Sequence, residues 1–303
     1  MKSTALRCYA FAAGDAKRLD LGGIVPVTIQ EKLSWVPIQI EILYNQEILG
    51  VGTAFFYFLE DSSFLVTNWH NVSGRRPDSL TIIHKEAAIP NKLRLFYPQN
   101  KNGSDELPEG DSFVGWNAVE LDLYENDEPI WYEHPKHKQK VDVVAIKLGI
   151  DGTRIYSANA EELDFTKITL RPSLDVFVLG YPRGLTGGAR FPVWKRGSIA
   201  SEPAIDLDGL PKFYIDTATR EGMSGSPVYV QHPVYVQHNG YCVPEGGSGT
   251  KDAIIGEARR FAGIYSGRVG DDTFKAQLGI VWKESAITEI ISGRIKGKSS
   301  FEI

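Results

Sequence analysis

Apolar and polar positions alternate, or gather into short β-branched and aromatic runs, along most of the chain. The runs are WVPIQIEIL (35–43), GTAFFYFL (52–59), SFLVTNW (63–69), KLRLFY (92–97), VDVVAIKL (141–148), DVFVLGY (175–181), KFYIDTAT (212–219), SPVYVQH (226–232), ARRFAGIYS (258–266) and FKAQLGIVW (274–282). Gly, Pro, Asn and Asp separate them, which is the signature of an antiparallel sandwich or barrel. Only KESAITEIISGRIKG (283–297) repeats its apolar residues at helical spacing, with Ala286, Ile287, Ile290 and Ile291 on one face and Gly293 as a stop. The strands form an early group ending near Lys147 and a later group starting near Thr169, joined by the polar connector DGTRIYSANAEELD (151–164). The pattern predicts an all-β chain of two small barrels, over 35–150 and 151–282. Residues 1–34 read as an extension draped on the surface, and 283–303 as a C-terminal helix and tail.

Composition narrows the function. With 303 residues, 42% of them hydrophobic, and six tryptophans, the chain can bury a large core, which excludes disorder. The net charge of −5 is small and Lys and Arg are scattered, so no stripe for phosphates exists and nucleic acid is excluded as a partner. Only Cys8 and Cys242 occur. That usage points to a reducing compartment, with a single Cys8–Cys242 bridge left open. The apolar run between Arg7 and Asp15 is shorter than a signal-peptide core, and no stretch approaches the roughly eighteen apolar residues of a membrane span, so a soluble cytoplasmic protein is expected. The glycine-rich EGGSGTKD (245–252) lacks the Lys-Ser or Lys-Thr of a phosphate loop, and no cofactor or metal is expected. A tandem PVYVQH, at 227–232 and 233–238, reads as a duplication that lengthens a hairpin.

Chemistry concentrates at Gly222-Met223-Ser224-Gly225-Ser226-Pro227. Acyl transfer needs a nucleophilic hydroxyl beside two backbone N–H groups aimed at one spot, where the oxyanion of the tetrahedral intermediate forms. A glycine two residues before the serine lets the backbone turn without a Cβ clash, so Gly222 and Ser224 would supply those amides. This segment resembles the nucleophile motif of trypsin-like serine peptidases, bacterial in type, and the resemblance requires a histidine and an aspartate upstream in that order. LVTNWHNV (65–72) resembles the histidine motif and presents His70; DVVAIKL (142–148) resembles the aspartate motif and opens with Asp142. An α/β-hydrolase reads Ser, acid, His instead, with a glycine where Ser226 stands, and is excluded.

The resemblance extends through GVGTAFFYF (50–58), LGYPRG (179–184), KRGSIAS (195–201) and GIYSG (263–267), and so covers roughly residues 35–282. It implies two antiparallel six-stranded β-barrels of the chymotrypsin-like kind with a C-terminal helix, and a triad of His70, Asp142 and Ser224 acting through an acyl-enzyme. It places Ser266 near Asp142 and sets the backbone of 266–268, with Gly267, to pair with an extended substrate strand. Two departures matter. Met223 stands where secreted members carry an aspartate that pairs with a new N-terminus, so control is expected through another element, residues 1–34 or 227–252, or a regulatory protein partner. The pocket-base position matches Ala218, which cannot pair with a substrate Arg or Lys. Thr219 resembles the threonine of glutamyl endopeptidases and viral three-C-like proteases, but Tyr265 replaces their histidine, so a hydroxyl-lined pocket for a small or polar side chain is expected.

The remaining signals read as ordinary surface. His84, His232 and His238 lack motif context, the H-x-x-H of His134 and His137 lies in the charged EHPKHKQK, ELPEGD (106–111) is a solvated loop, and the Asn71-Val72-Ser73 sequon lies beside His70. The 21 residues after Trp282 are too few for an added peptide-binding domain. The leading expectation is a serine endopeptidase acting on protein or peptide substrates; the competing one is a silent protease-like module that binds an extended segment.

Overall fold

The computed structural model describes residues 18–20, 25–27, 31–99, 112–149, 156–161, 163, 168–218, 221–232, 258–268 and 278–303. All strand pairings within its sheets are antiparallel. In the N-terminal half the strands follow the order Arg18–Asp20, Ser112–Asp122, Lys92–Gln99, Pro37–Tyr44, Glu47–Leu59, Ser62–Thr67, Val144–Lys147, Trp131–Glu133, Ile295–Lys296, with Val25–Val27 also on Ser112–Asp122. The C-terminal half closes into a six-stranded barrel in the order Asp175–Gly180, Val193–Ile199, Lys212–Asp216, Leu278–Lys283, Ala258–Arg268, Pro227–His232. The chain is thus all-β with one closed barrel; the first half is a ten-stranded sheet that does not close through hydrogen bonds among the described residues.

Successive side chains of a strand face opposite ways, and here both faces are dry. In Glu47–Leu59, Ala54 and Phe56 point into the first half while Phe55 and Tyr57 point at the second. Phe64 and Val66 against Leu65, and Val143 and Ala145 against Val144 and Ile146, repeat that division. Those outward residues meet Leu179, Tyr229, Phe261, Ile264 and Trp282 of the second half, so one apolar layer joins the two. Each fully buried large side chain in it contributes about 1.5–3 kcal/mol, enough in sum to hold the halves in register. The site lies along this seam.

Several expectations are corrected. The C-terminal helix runs Glu284–Gly293 and buries Ala286, Ile287, Ile290 and Ile291, but it stops where Arg294 adopts a left-handed conformation (φ 49°). Ile295–Lys296 then pairs with Tyr132 and Glu133 as a strand, so the helix ends at Gly293, the stop read from the sequence, and the tail beyond it adds an edge strand. The extension does not merely drape: Leu33 is fully buried in the seam, and Glu31 bridges to Arg259 at 2.6 Å. Strand Ser112–Asp122 escaped the sequence pattern because Asn117 and Glu120 interrupt its apolar positions. Its register instead places Glu120 opposite Arg94, which binds both Glu120 (2.9 Å) and Glu41 (2.6 Å). The second copy of PVYVQH, the 245–252 loop, Cys8 and Cys242 lie outside the described residues.

Candidate active site

The histidine is placed by a strand-to-helix corner. Ser62–Thr67 ends at Asn68, whose extended backbone opens the short helix Trp69–Ser73. Gly74 closes it at φ +66°, where a Cβ would lie 2.4 Å from Pro90. Behind the corner the buried Glu133 accepts the indole N–H of Trp69 (2.8 Å) and of Trp131 (3.2 Å). The corner is therefore tied to the sheet through the residue next to His70.

Asp142 sits two residues before strand Val144–Lys147 and is 4% exposed. Its carboxylate is crowded with donors. Oδ2 lies 2.7 Å from His70 Nδ1 and accepts the Ser266 hydroxyl at 2.5 Å, while Oδ1 accepts the His70 backbone N–H at 2.9 Å. The Asp142 carbonyl accepts Asn68 Nδ2 at 2.6 Å, so backbone and side chain are both held. Nδ1 of His70 is thereby committed to the carboxylate, which leaves Nε2 as the nitrogen able to take a proton.

Ser224 lies on a turn that only glycines allow. Gly222 and Gly225 have φ of +87° and +88°. A Cβ on Gly222 would lie 2.4 Å from the Tyr181 carbonyl oxygen and 2.7 Å from Arg183 N; one on Gly225 would lie 1.8 Å from the Thr53 carbonyl oxygen. The Ser224 carbonyl accepts Thr53 N–H at 2.9 Å and Asn71 Nδ2 at 3.5 Å, which fastens the turn to the histidine half. Asn71 Nδ2 also donates to Thr67 Oγ1 (2.9 Å) in a residue only 2% exposed, so its sequon is internal structure.

Among the described residues neither Gly222 N–H nor Ser224 N–H meets an acceptor, while the carbonyl of Glu221 accepts Arg183 N–H at 2.6 Å. A peptide unit is planar and trans, so its N–H points opposite to its C=O. With the Glu221 carbonyl turned to Arg183, the Gly222 amide faces away from that loop and stays free for an oxyanion.

Ser266 links the halves. In strand Ala258–Arg268 the register against Leu278–Lys283 shifts between Tyr265 and Gly267, so Ser266 is the extra residue of a bulge. The bulge sends its hydroxyl to Asp142 and its carbonyl to the Ser224 hydroxyl, 3.4 Å away. Ser224 Oγ therefore points at Ser266 rather than bonding to His70. Past Ile264, which pairs with Pro227, the strand's backbone contacts with the serine turn run through Tyr265, whose N–H donates to Ser226 and whose carbonyl accepts Gly225 N–H. Beyond the bulge no strand pairs with that edge among the described residues.

The other expected site residues are more dispersed. Ala218 is exposed at the end of strand Lys212–Asp216, and Thr219 lies outside the described residues. Tyr265 is 2% exposed and belongs to the interior of the second barrel, where its ring passes over Gly279, a position at which a Cβ would be 2.6 Å from it. Met223 is fully buried in the same interior and carries no charge toward the site. His134, expected at the surface, is instead buried, its Nδ1 accepting the N–H of Lys136 (3.3 Å) and His137 (3.2 Å) and its Nε2 3.1 Å from Glu289. Asn68, Asn71, Thr53, Arg183 and Glu133 were given no site role by the sequence pattern. The first two flank His70 in sequence, and that adjacency is the one signal available for them.

The arrangement thus joins a carboxylate, an imidazole and a primary hydroxyl on a turn with two amides unpaired among the described residues, a set suited to nucleophilic acyl transfer. No family model matches the sequence, and no curated protein does. Similar solved structures include the Rv3671c protease of M. tuberculosis in its active form, at 18% identity and TM-score 0.40, covering 86% of this chain and 81% of that one. Another is the serine endoprotease of Yersinia pestis, at 13% identity and TM-score 0.43, covering 86% of this chain and 62% of that one.

Proposed function

We propose that the chain is a serine endopeptidase of the trypsin-like kind, with Ser224 as nucleophile, His70 as general base and Asp142 as the group that orients His70. The observation that carries this reading is the 2.7 Å contact of His70 Nδ1 with Asp142, joined through Ser266 to a serine flanked by two free amides. A rotation about the Ser224 Cα–Cβ bond releases its hydroxyl from Ser266 and brings it toward His70 Nε2. Apo catalytic hydrogen bonds are often long and tighten only on substrate binding. Ser224 Oγ then attacks the carbonyl carbon as His70 takes its proton, and the oxyanion is held by Gly222 and Ser224 N–H. His70 returns the proton to the leaving amine, and water resolves the acyl-enzyme by the same route.

The open edge at Ser266–Arg268 receives the substrate as an added strand. Exposed Ala218 offers no anion for a basic side chain, so cleavage after Arg or Lys is not expected; a peptide-library profile dominated by them would sink this part. The orientation of the Ser224 hydroxyl toward Ser266 favours a second reading, a silent module that binds an extended segment. Treatment with a fluorophosphonate probe decides between them. Labelling of the native protein that vanishes in Ser224→Ala is expected; equal labelling of both, or none of either, would overturn the peptidase reading.

A further inference from the structure

The Gly222 amide stays open because Arg183 N–H holds the Glu221 carbonyl; Arg183 is exposed, with φ +51°, in a turn closed by Gly184 N–H on the Tyr181 carbonyl (3.0 Å) and Leu185 N–H on the Pro182 carbonyl (2.9 Å). The residues that fix the position of this turn lie across the seam. The carbonyl of Gly184, next in sequence, accepts Gln39 Nε2 from strand Pro37–Tyr44 at 3.2 Å. Gln39 Oε1 in turn accepts Arg190 Nη1 at 3.1 Å, from the far end of the same loop. The Arg190 guanidinium stacks 4.4 Å above the ring of Phe96, on strand Lys92–Gln99. Phe191 packs edge-on between Trp35 (4.9 Å) and Trp116 (5.5 Å), both of the first half. At its start the loop is pinned by the buried Tyr181, whose hydroxyl donates to the Pro37 carbonyl at 3.1 Å and whose N–H reaches Thr53 Oγ1 at 3.3 Å.

We infer that Arg190 and Gln39 are positioning residues for the oxyanion amide. They clasp loop 181–192 to the first half and so keep Arg183 N–H on the Glu221 carbonyl. Gln39 is 8% exposed and satisfies one group at each end of the loop, so it acts as the pivot. When the clasp opens, Arg183 withdraws, the Glu221–Gly222 peptide is free to turn over, and a carbonyl replaces the N–H where negative charge must develop. The substrate strand pairs elsewhere, on Ser266–Arg268, so binding is left intact. This inference rests on the peptidase reading above.

The test compares native protein with Arg190→Met, Gln39→Ala, the double variant and Arg190→Lys. Melting temperature for each establishes that the fold persists. The readouts are the rate of Ser224-dependent fluorophosphonate labelling, kcat and KM on a peptide found by library screening, and inhibition by the matching peptide aldehyde, whose hemiacetal oxygen uses the oxyanion amides. Removal of one such donor outright costs a factor of about 10²–10³, and loosening it should cost about ten- to a hundredfold in kcat, with KM changed less than about threefold. Labelling and aldehyde inhibition should weaken in parallel. Arg190→Lys, which keeps the cation over Phe96, should recover part of the loss, and the double variant should match the worse single because both act on one clasp. Unchanged kcat and aldehyde inhibition in folded Arg190→Met and Gln39→Ala would overturn the clasp while native labelling upholds the peptidase reading. Absence of native labelling would remove both.

Discussion

The two halves of the site are built differently. The imidazole half is wired by side chains: Asp142 takes donors from His70 Nδ1, His70 N–H and Ser266, Asn68 anchors its carbonyl, and Glu133 anchors Trp69. The serine half is shaped by backbone: two glycines at positive φ, a carbonyl turned by Arg183 N–H, and a bulge that aims the Ser266 carbonyl. Side-chain wiring holds a group through several independent donors at once. Backbone shaping fixes an amide only while its neighbours stay in place. The difference locates rigidity at His70 and Asp142, and adjustability at Ser224 and Gly222.

The largest predicted effects come from cutting each half at its centre. Ser224→Ala should abolish turnover, and Asp142→Asn should lower kcat by about 10⁴ while the melting temperature moves little, since the amide keeps the shape but presents the wrong tautomer partner to His70. Single-turnover assays with burst titration would check this. An Asp142→Asn enzyme with more than a tenth of native kcat would show that the wiring does not serve catalysis. Next comes Gly222→Ala, whose Cβ has nowhere to go between Tyr181 and Arg183. It should cost about 10²–10³ in kcat and about 1–3 kcal/mol of stability. A fully active Gly222→Ala would mean that the turn is less constrained than its contacts imply.

The same division explains what could be read from sequence. His70, Asp142 and Ser224 are side chains in runs with a recognisable strand context, and the apolar periods of Pro37–Tyr44, Glu47–Leu59 and Glu284–Gly293 were legible because burial on one or two faces leaves an imprint in residue type. Gly222 was legible as a glycine that a turn requires. The Arg183 amide, the Ser266 carbonyl and the bulge left no imprint, because any residue carries a backbone N–H and C=O. Glu133 was hidden for another reason: nothing in a lone acid within WYEH shows that two indoles from Trp69 and Trp131 converge on it. Tyr265 was expected at the pocket by analogy of position; its ring packs in the second barrel with Ile215 and Val281.

Ser266 belongs to both halves, and its two contacts can be separated. Ser266→Ala removes the hydroxyl donor to Asp142 and leaves the carbonyl facing Ser224 untouched. A hydrogen bond to a charged group is worth about 1.5–3 kcal/mol, so kcat/KM should fall about tenfold or somewhat more, with fluorophosphonate labelling slowed by a like factor. If the loss instead approached that of Asp142→Asn, the carboxylate would depend on Ser266 for its position, and the wiring would prove as conditional as the serine turn.

The smallest predicted effect concerns how the imidazole half fails. His134 lies one residue beyond Glu133, buried under the C-terminal helix. Burial holds its imidazole below the ordinary value of 6.5; His137 and Lys136 push the same way, and Glu289 opposes them. A histidine depressed in the folded state is protonated first in the unfolded chain. As pH falls below about 6.5 the unfolded state therefore gains a proton that the folded state resists, and stability drops. Above that value both states are neutral and the group contributes no slope. His134→Gln should flatten the fall in melting temperature between pH 6.5 and 5 relative to native protein while leaving the neutral-pH value within a few degrees. Hydrogen exchange should show the loosening first at Trp131–Glu133 and Trp69–Ser73, the segments that Glu133 joins, before the serine turn. Exchange that begins at 221–226 in acid would place the weaker half on the serine side of the seam.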